Sequence, residues 1–162
     1  MFFLTITFIV IGIGNKLNKE KIIKEHISKL PQFSFTTLQN TSFNSSSITQ
    51  GPVLIVRYHP ECEHCQYEIS ELLKSKIAKS GFKILLISDA DKNDINKFLD
   101  QFSISEKQGI IPLLDTASVF PKIFGKDIIP SNYIYDKELN LIKILYGEYK
   151  IETILKYLEE SE

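Results

Sequence analysis

The chain of 162 residues has two cysteines, Cys62 and Cys65, and both stand in the stretch RYHPECEHCQYEISELL, residues 57–73. Two thiols at this spacing on a helix start can close a small disulfide ring and reopen it with little movement of the backbone. The first turn of a helix also presents unpaired amides and the positive end of the helix dipole, which together stabilise a thiolate. Cys62, where the chain enters the helix, is the expected nucleophile. Cys65, four residues before Ile69 on the apolar stripe, is the shielded thiol that would resolve a mixed disulfide. His64 between them favours the thiolate, whereas Glu61 and Glu63 oppose it through their charge.

Other chemistries of the same residues are weaker. A CxxC with His59 or His64 could offer thiolates and an imidazole to zinc, but a structural zinc takes four ligands; no second CxxC exists and His26 is remote. No metal is therefore assigned. Covalent haem attachment needs CxxCH, and Gln66 occupies the last position. A chance spacing is disfavoured because an apolar run precedes the pair and an amphipathic pattern follows it. With 43% hydrophobic and 24% charged residues the composition is that of one ordinary globular domain. Nineteen basic residues against twenty acidic ones give no electrostatic case for nucleic acid.

The elements that must position the pair follow from periodicity. Val53–Tyr58, VLIVRY, is a nearly continuous apolar run between Gly51-Pro52 and His59-Pro60, as a buried central strand would be. After the cysteines, Ile69, Leu72, Leu73 and Ile77 recur at helical spacing until Gly81. FKILLIS reads as a second buried strand, and Ile95, Phe98, Leu99 and Phe102 as the apolar face of a second helix. Upstream, FSFTTL alternates like a short strand and QNTSFNSSSITQGP reads as a loop; downstream, IIPLLD is a short apolar segment and TASVFPKIFG a short helix closed by Gly125. SNYIYD and LIKILYG form a strand pair around KELN, and Ile151, Ile154, Leu155 and Leu158 line a closing helix. Strands alternating with helices, then a hairpin and a last helix, predict an α/β three-layer sandwich: a central mixed β-sheet flanked by helices.

Residues 15–30 read as a connector with some helical character. Before it, residues 1–14 hold an uncharged apolar run from Phe2 to Ile13, short for a bilayer span but matching the apolar part of an export signal or a membrane anchor. Lys16, Lys19 and Lys21 follow the run rather than precede it, which is the reverse of the usual order, and a buried N-terminal strand or helix is the competing reading.

LPQFSFTTLQNTSF followed by GPVLIVRYHPECEHCQYEISELL resembles the opening of the TlpA-like and redoxin branch of the thioredoxin-fold superfamily, and FGKDIIPSNYIYDKELNLIKILYGEYKIETILKYLEE resembles its second half. The resemblance spans residues 31–162 and implies one thioredoxin-like domain there. It implies a thiol:disulfide oxidoreductase of the bacterial periplasm or cell envelope, exchanging disulfides with protein substrates and with a second redox partner that gives or takes electrons. No cofactor is implied beyond the Cys62–Cys65 disulfide itself. It further implies that Pro130 is a cis proline lying against the dithiol and that the backbone of Ile129 binds substrate; Pro112 is a weaker candidate for that proline, because no comparable hairpin and helix follow it.

Several positions depart from the family pattern. Glu61 stands where many thioredoxins carry Trp, and Val56 where they carry a buried Asp that moves protons. Proton handling then falls to solvent, to His59 or His64, or to an acid elsewhere. His59 also replaces the Thr that peroxiredoxins need. The pair Glu63-His64 is similar to the centres of disulfide isomerases and oxidants, so the direction of electron flow stays open. The alternatives are an oxidant or isomerase of folding proteins, and a non-catalytic binding module with a structural disulfide or metal.

Overall fold

The computed structural model describes residues 18–76, 82–104 and 109–161. The apolar run at residues 1–14 lies outside these, as do Ile77 and Gly81.

The central sheet is built from β3 (Val53–Arg57), β4 (Lys83–Ser88) and β5 (Ile110–Leu114), which are parallel, with β6 (Ser131–Tyr135) and β7 (Leu141–Tyr146) joined antiparallel beside β3. β1 (Ser34–Thr37) and β2 (Ser42–Asn44) close the other side, giving the order β2-β1-β5-β4-β3-β6-β7 over the described residues. The middle strands are apolar at almost every position because both faces are covered. Successive residues point to opposite faces. Leu54, Val56, Ile84, Leu86 and Ile134 pack under α2 (Glu63–Lys74), α3 (Lys92–Gln101) and α5 (Ile151–Glu159). Val53, Ile55, Leu85, Ile87, Tyr133 and Tyr135 pack on the other side with Phe120 and Phe124 of α4 (Phe120–Phe124) and with Ile27, just past the helix α1 over residues 18–26.

The described part of the connector takes part in the core. Ile27 is buried, the Leu30 amide donates to Leu139 O at 2.8 Å, and the Leu141 amide donates to Ser28 O at 2.8 Å. Ordered contacts thus begin upstream of Pro31.

Two segments differ from the expectation. The loop expected after FSFTTL contains β2, whose Phe43 pairs with Phe35, and a 3-10 turn at Ser45–Ser47. A three-residue edge strand with one apolar side chain leaves no alternating signature to read. Its turn is fixed by buried Ser45, which accepts from the Phe33 amide at 2.9 Å and donates to Pro31 O at 2.9 Å. IIPLLD, read only as an apolar segment, is β5. Pro112 is tolerated inside it for a local reason. The Ile84 amide donates to Gly109 O and the Asp115 amide to Ser88 O, so residues 109, 111 and 113 face β4. Pro112 faces the other side, where β1 reaches only Leu113 and Leu114, and no ladder donor is lost there.

α2 ends at Lys74, and the Ser75 hydroxyl closes it by donating to Leu72 O at 2.6 Å. α4 ends on Gly125 at φ 87°, a left-handed cap that an added Cβ would also bring to 2.6 Å from Ile23 Cγ2.

Candidate active site

The dithiol sits where β3 hands the chain to α2. The Tyr58 amide still follows the sheet, donating to Ile87 O at 3.1 Å, and His59-Pro60 then turns the backbone outward. The turn is held by the Cys62 amide on His59 O at 3.1 Å and by Gln66 Nε2 on Pro60 O at 2.6 Å. Cys62 is the N-cap of α2, with extended backbone at φ −80° and ψ 109°, and its Sγ accepts from the Cys65 amide at 3.2 Å. A sulfur at this cap meets the orphan donors of the first turn. Cys65 is fully buried and Cys62 half-buried; both are free thiols. Burial pushes the Cys65 thiol well up from its ordinary value, and the neighbouring Cys62 adds to this while a backbone hydrogen bond at His59 opposes it. Cys65 therefore holds its proton at neutral pH until something takes it.

Glu68 was not read from the sequence as a site residue. It lies one helical turn beyond Cys65, on the same face of α2 as Ile69 and Leu72, and is 2% exposed. Asn132 Nδ2 donates to its Oε1 at 2.7 Å and the Tyr149 amide to its Oε2 at 2.9 Å. Burial raises the pKa of this carboxyl above its ordinary value, against both hydrogen bonds, and Glu148 adds to the rise. The Glu68 charge in turn adds to the rise of the Cys65 pKa. A carboxylate at Cys65+3 between apolar positions was the available signal. Tyr58, also buried, has a hydroxyl without a partner among the described residues, and burial followed by the Cys65 charge pushes it up.

The other expected residues are placed as follows. Glu61, Glu63 and His64 are exposed around the cysteines. His59 Nδ1 accepts from the Glu61 amide at 3.3 Å. His64 Nδ1 is in contact with Glu148 Oε2, tying the first turn of α2 to the β7–α5 connection whose next residue, Tyr149, binds Glu68. Among the described residues no group of three or more His, Cys, Asp or Glu is arranged to hold a metal ion. The Ile129–Pro130 bond is cis, and Gly51–Pro52 is a second cis bond that the sequence reading did not anticipate; Pro112 is not in the cis state. Ser131 pairs with Arg57, so Pro130 comes opposite the end of β3 from which the chain runs to Cys62. Pro130 is buried with its carbonyl accepting from the Gly147 amide at 2.9 Å, while Ile128 and Ile129 are 38% and 41% exposed.

Solved structures share this architecture. A thioredoxin-family thiol:disulfide interchange protein from Chlorobium tepidum superimposes with a TM-score of 0.70 at 16% identity, covering 83% of this chain and 95% of the other. A secreted Mycobacterium tuberculosis disulfide oxidoreductase homologous to E. coli DsbE gives 0.68 at 17% identity, covering 80% and 96%. The fold, with its dithiol at the head of α2, defines a thioredoxin-fold thiol:disulfide oxidoreductase. In sequence the chain is similar to the thiol-disulfide oxidoreductase ResA of Bacillus cereus, 25% identical over 153 residues that cover 92% of this chain and 83% of ResA. A second ResA, from Bacillus thuringiensis, matches to the same extent, and no family model matches the chain.

Proposed function

We propose that the protein exchanges disulfides with protein substrates in the cell envelope, with Cys62 as nucleophile and Cys65 as resolving thiol. The observation that carries this reading is the asymmetry of the pair: Cys62 Sγ caps the helix and is reachable, while Cys65 is wholly buried behind it. In the reducing direction, the Cys62 thiolate attacks one sulfur of a substrate disulfide. The S–S bond breaks, a mixed disulfide forms, and the first substrate sulfur leaves as a thiolate that takes a proton from water. Cys65 then gives its proton to Glu68 and attacks the Cys62 sulfur, releasing the second substrate sulfur. The substrate gains two electrons, the protein keeps a Cys62–Cys65 disulfide, and a dithiol redox partner restores it. The two thiols carry both electrons, so no further cofactor is required.

Pro130 shapes the wall of the substrate groove and the Ile129 backbone pairs with the substrate chain. The exposed apolar side chains of Ile128 and Ile129 beside the β3 terminus support that role. His64 and, less directly, His59, Glu61 and Glu63 tune Cys62. The envelope location is supported by the apolar run Phe2–Ile13, read as an export signal or membrane anchor, and by a structural neighbour described as secreted.

The test is a trapping experiment. Cys65→Ser mixed with a disulfide-bonded protein such as oxidised insulin retains a covalent adduct on Cys62 that dithiothreitol releases; Cys62→Ser forms none. An adduct on neither variant, or equally on both, contradicts the assignment.

A further inference from the structure

Arg57 is the charged residue in the otherwise apolar run that forms β3, and its side chain is 3% exposed. Such a group persists in a core only when its charge is paired and its donors are used. Nε donates to Asp127 Oδ1 at 2.8 Å and Nη2 meets Asp89 Oδ1 at 3.0 Å. Cζ lies 5.3 Å from the centre of the Phe120 ring, and Nη1 is buried without a partner among the described residues.

The partners matter through their places in the chain. Asp89 directly follows β4, at the start of the connection to α3. Asp127 is three residues ahead of Pro130, in the connection between α4 and β6. One guanidinium thus joins the end of β3 that leads to Cys62, the β4–α3 connection, and the segment that carries the exposed Ile128 and Ile129. Backbone hydrogen bonds flank that segment at the Gly125 amide, on Pro121 O, and at Pro130 O, which accepts from Gly147. Between them it is held by Arg57 on Asp127 and by Lys126 Nζ, 4.9 Å from the centre of the Tyr146 ring. Both carboxylates share the same cation, so without it they would repel each other across the two connections.

We infer that Arg57 is a positioning residue for substrate: through Asp127 and Asp89 it holds the Asp127–Pro130 segment in register with the dithiol. A planar fork with several donors is suited to clamp two carboxylates from different segments, which a lysine would not do equally well. This inference rests on the proposed substrate-binding role of Ile129 and Pro130. It adds a residue that touches neither substrate nor sulfur and acts by setting where the groove wall stands.

The experiment uses Asp127, half-exposed and outside the core, so that the variants fold. Reduction of insulin, which needs the groove, is compared with the exchange rate on oxidised glutathione, which needs little beyond an accessible Cys62. Asp127→Ala is expected to raise the KM for insulin about tenfold with kcat nearly unchanged, and to leave the glutathione rate within about twofold of wild type. Asp127→Asn keeps a hydrogen-bond acceptor for Nε and falls between the two. An unchanged insulin KM in Asp127→Ala overturns the inference, and so does an equal loss on both substrates, which would mark damage to the dithiol or the fold. A wild-type protein that exchanges with glutathione and leaves insulin untouched overturns the substrate-groove reading itself, independently of Asp127.

Discussion

Replacing Glu68 separates two properties that its carboxylate combines, a hydrogen-bond hub and a proton acceptor. Its oxygens receive Asn132 Nδ2 at 2.7 Å and the Tyr149 amide at 2.9 Å, and Asn132 Oδ1 is buried without a partner among the described residues. Glu68→Ala orphans both donors, and at about 1–3 kcal/mol for each unpaired buried group the loss is about 3 kcal/mol, at the lower half of the sum because half-buried Tyr149 can recruit water. Glu68→Gln keeps one oxygen for the Tyr149 amide. If the Asn132 amide turns over, the new Nε2 donates to Oδ1 while Nδ2 takes the unpaired place that Oδ1 held, so the number of unpaired groups is unchanged and stability stays within about 1 kcal/mol of wild type. What Gln cannot do is accept the Cys65 proton. The resolving step should slow about 100-fold at neutral pH, a rise in barrier of about 2.7 kcal/mol, while the first attack by Cys62 is unaffected. Urea unfolding measures the first quantity. Rapid acid quench, alkylation and mass spectrometry of the mixed disulfide measure the second. Equal destabilisation by Gln and Ala would refute the hydrogen-bond argument, and an unchanged resolution rate in Glu68→Gln would refute the proton-transfer argument.

Acid stability provides a second check, with opposite signs at two carboxylates. At Asp89 burial acts to raise the pKa, but the hydrogen bond and charge of Arg57 outweigh it and hold the group below its ordinary 3.8. Its contribution is present above that value and is lost as pH falls through the lower folded one, so Asp89→Asn should flatten the decline in unfolding free energy below about pH 4. Glu68 is raised above its ordinary 4.5, so in wild type its contribution is present below that value and is lost as pH rises from there through the higher folded one, and Glu68→Gln should abolish this slope; a slope that persists in Gln would point to another acid. Asp115, 1% exposed, accepts from the Val119 and Phe120 amides at 2.8 Å each, and Asp115→Ala should cost about 2–4 kcal/mol in urea melts; a loss below ~1 kcal/mol would show that water replaces the carboxylate. His64→Ala removes an exposed contact to Glu148 and should change stability by less than about 1 kcal/mol, a difference that vanishes in ~1 M salt.

The parts of the fold that were legible in the sequence are those whose burial writes a continuous local pattern. β3 and β4 are apolar on both faces, α2 and α5 carry single apolar stripes, and the hairpin of β6 and β7 is bounded by turn residues. The cysteine pair was legible because its chemistry needs only spacing and a helix start. β2 was not, since an edge strand of three residues buries too little to leave a periodic trace, and β5 was obscured by Pro112, whose tolerance depends on which neighbour reaches it. Glu68 and Arg57 were missed for a different reason. Each is a charge set among apolar positions, but its meaning lies in partners 64 and 70 positions away, Asn132 and Asp127, which no local pattern names. The cis state of Ile129–Pro130 followed from the family resemblance rather than from the residues themselves.

The most direct test of the central claim is a redox titration of the wild-type protein in dithiothreitol or glutathione buffers, with thiols trapped by an alkylating mass tag and counted by mass spectrometry. The account predicts one reversible two-electron transition in which Cys62 and Cys65 are tagged together or not at all. Its midpoint sets the direction of exchange: near about −270 mV the protein serves as a reductant, and above about −180 mV as an oxidant or isomerase. Absence of a reversible transition, or thiols that become accessible only after a chelator is added, would contradict the claim.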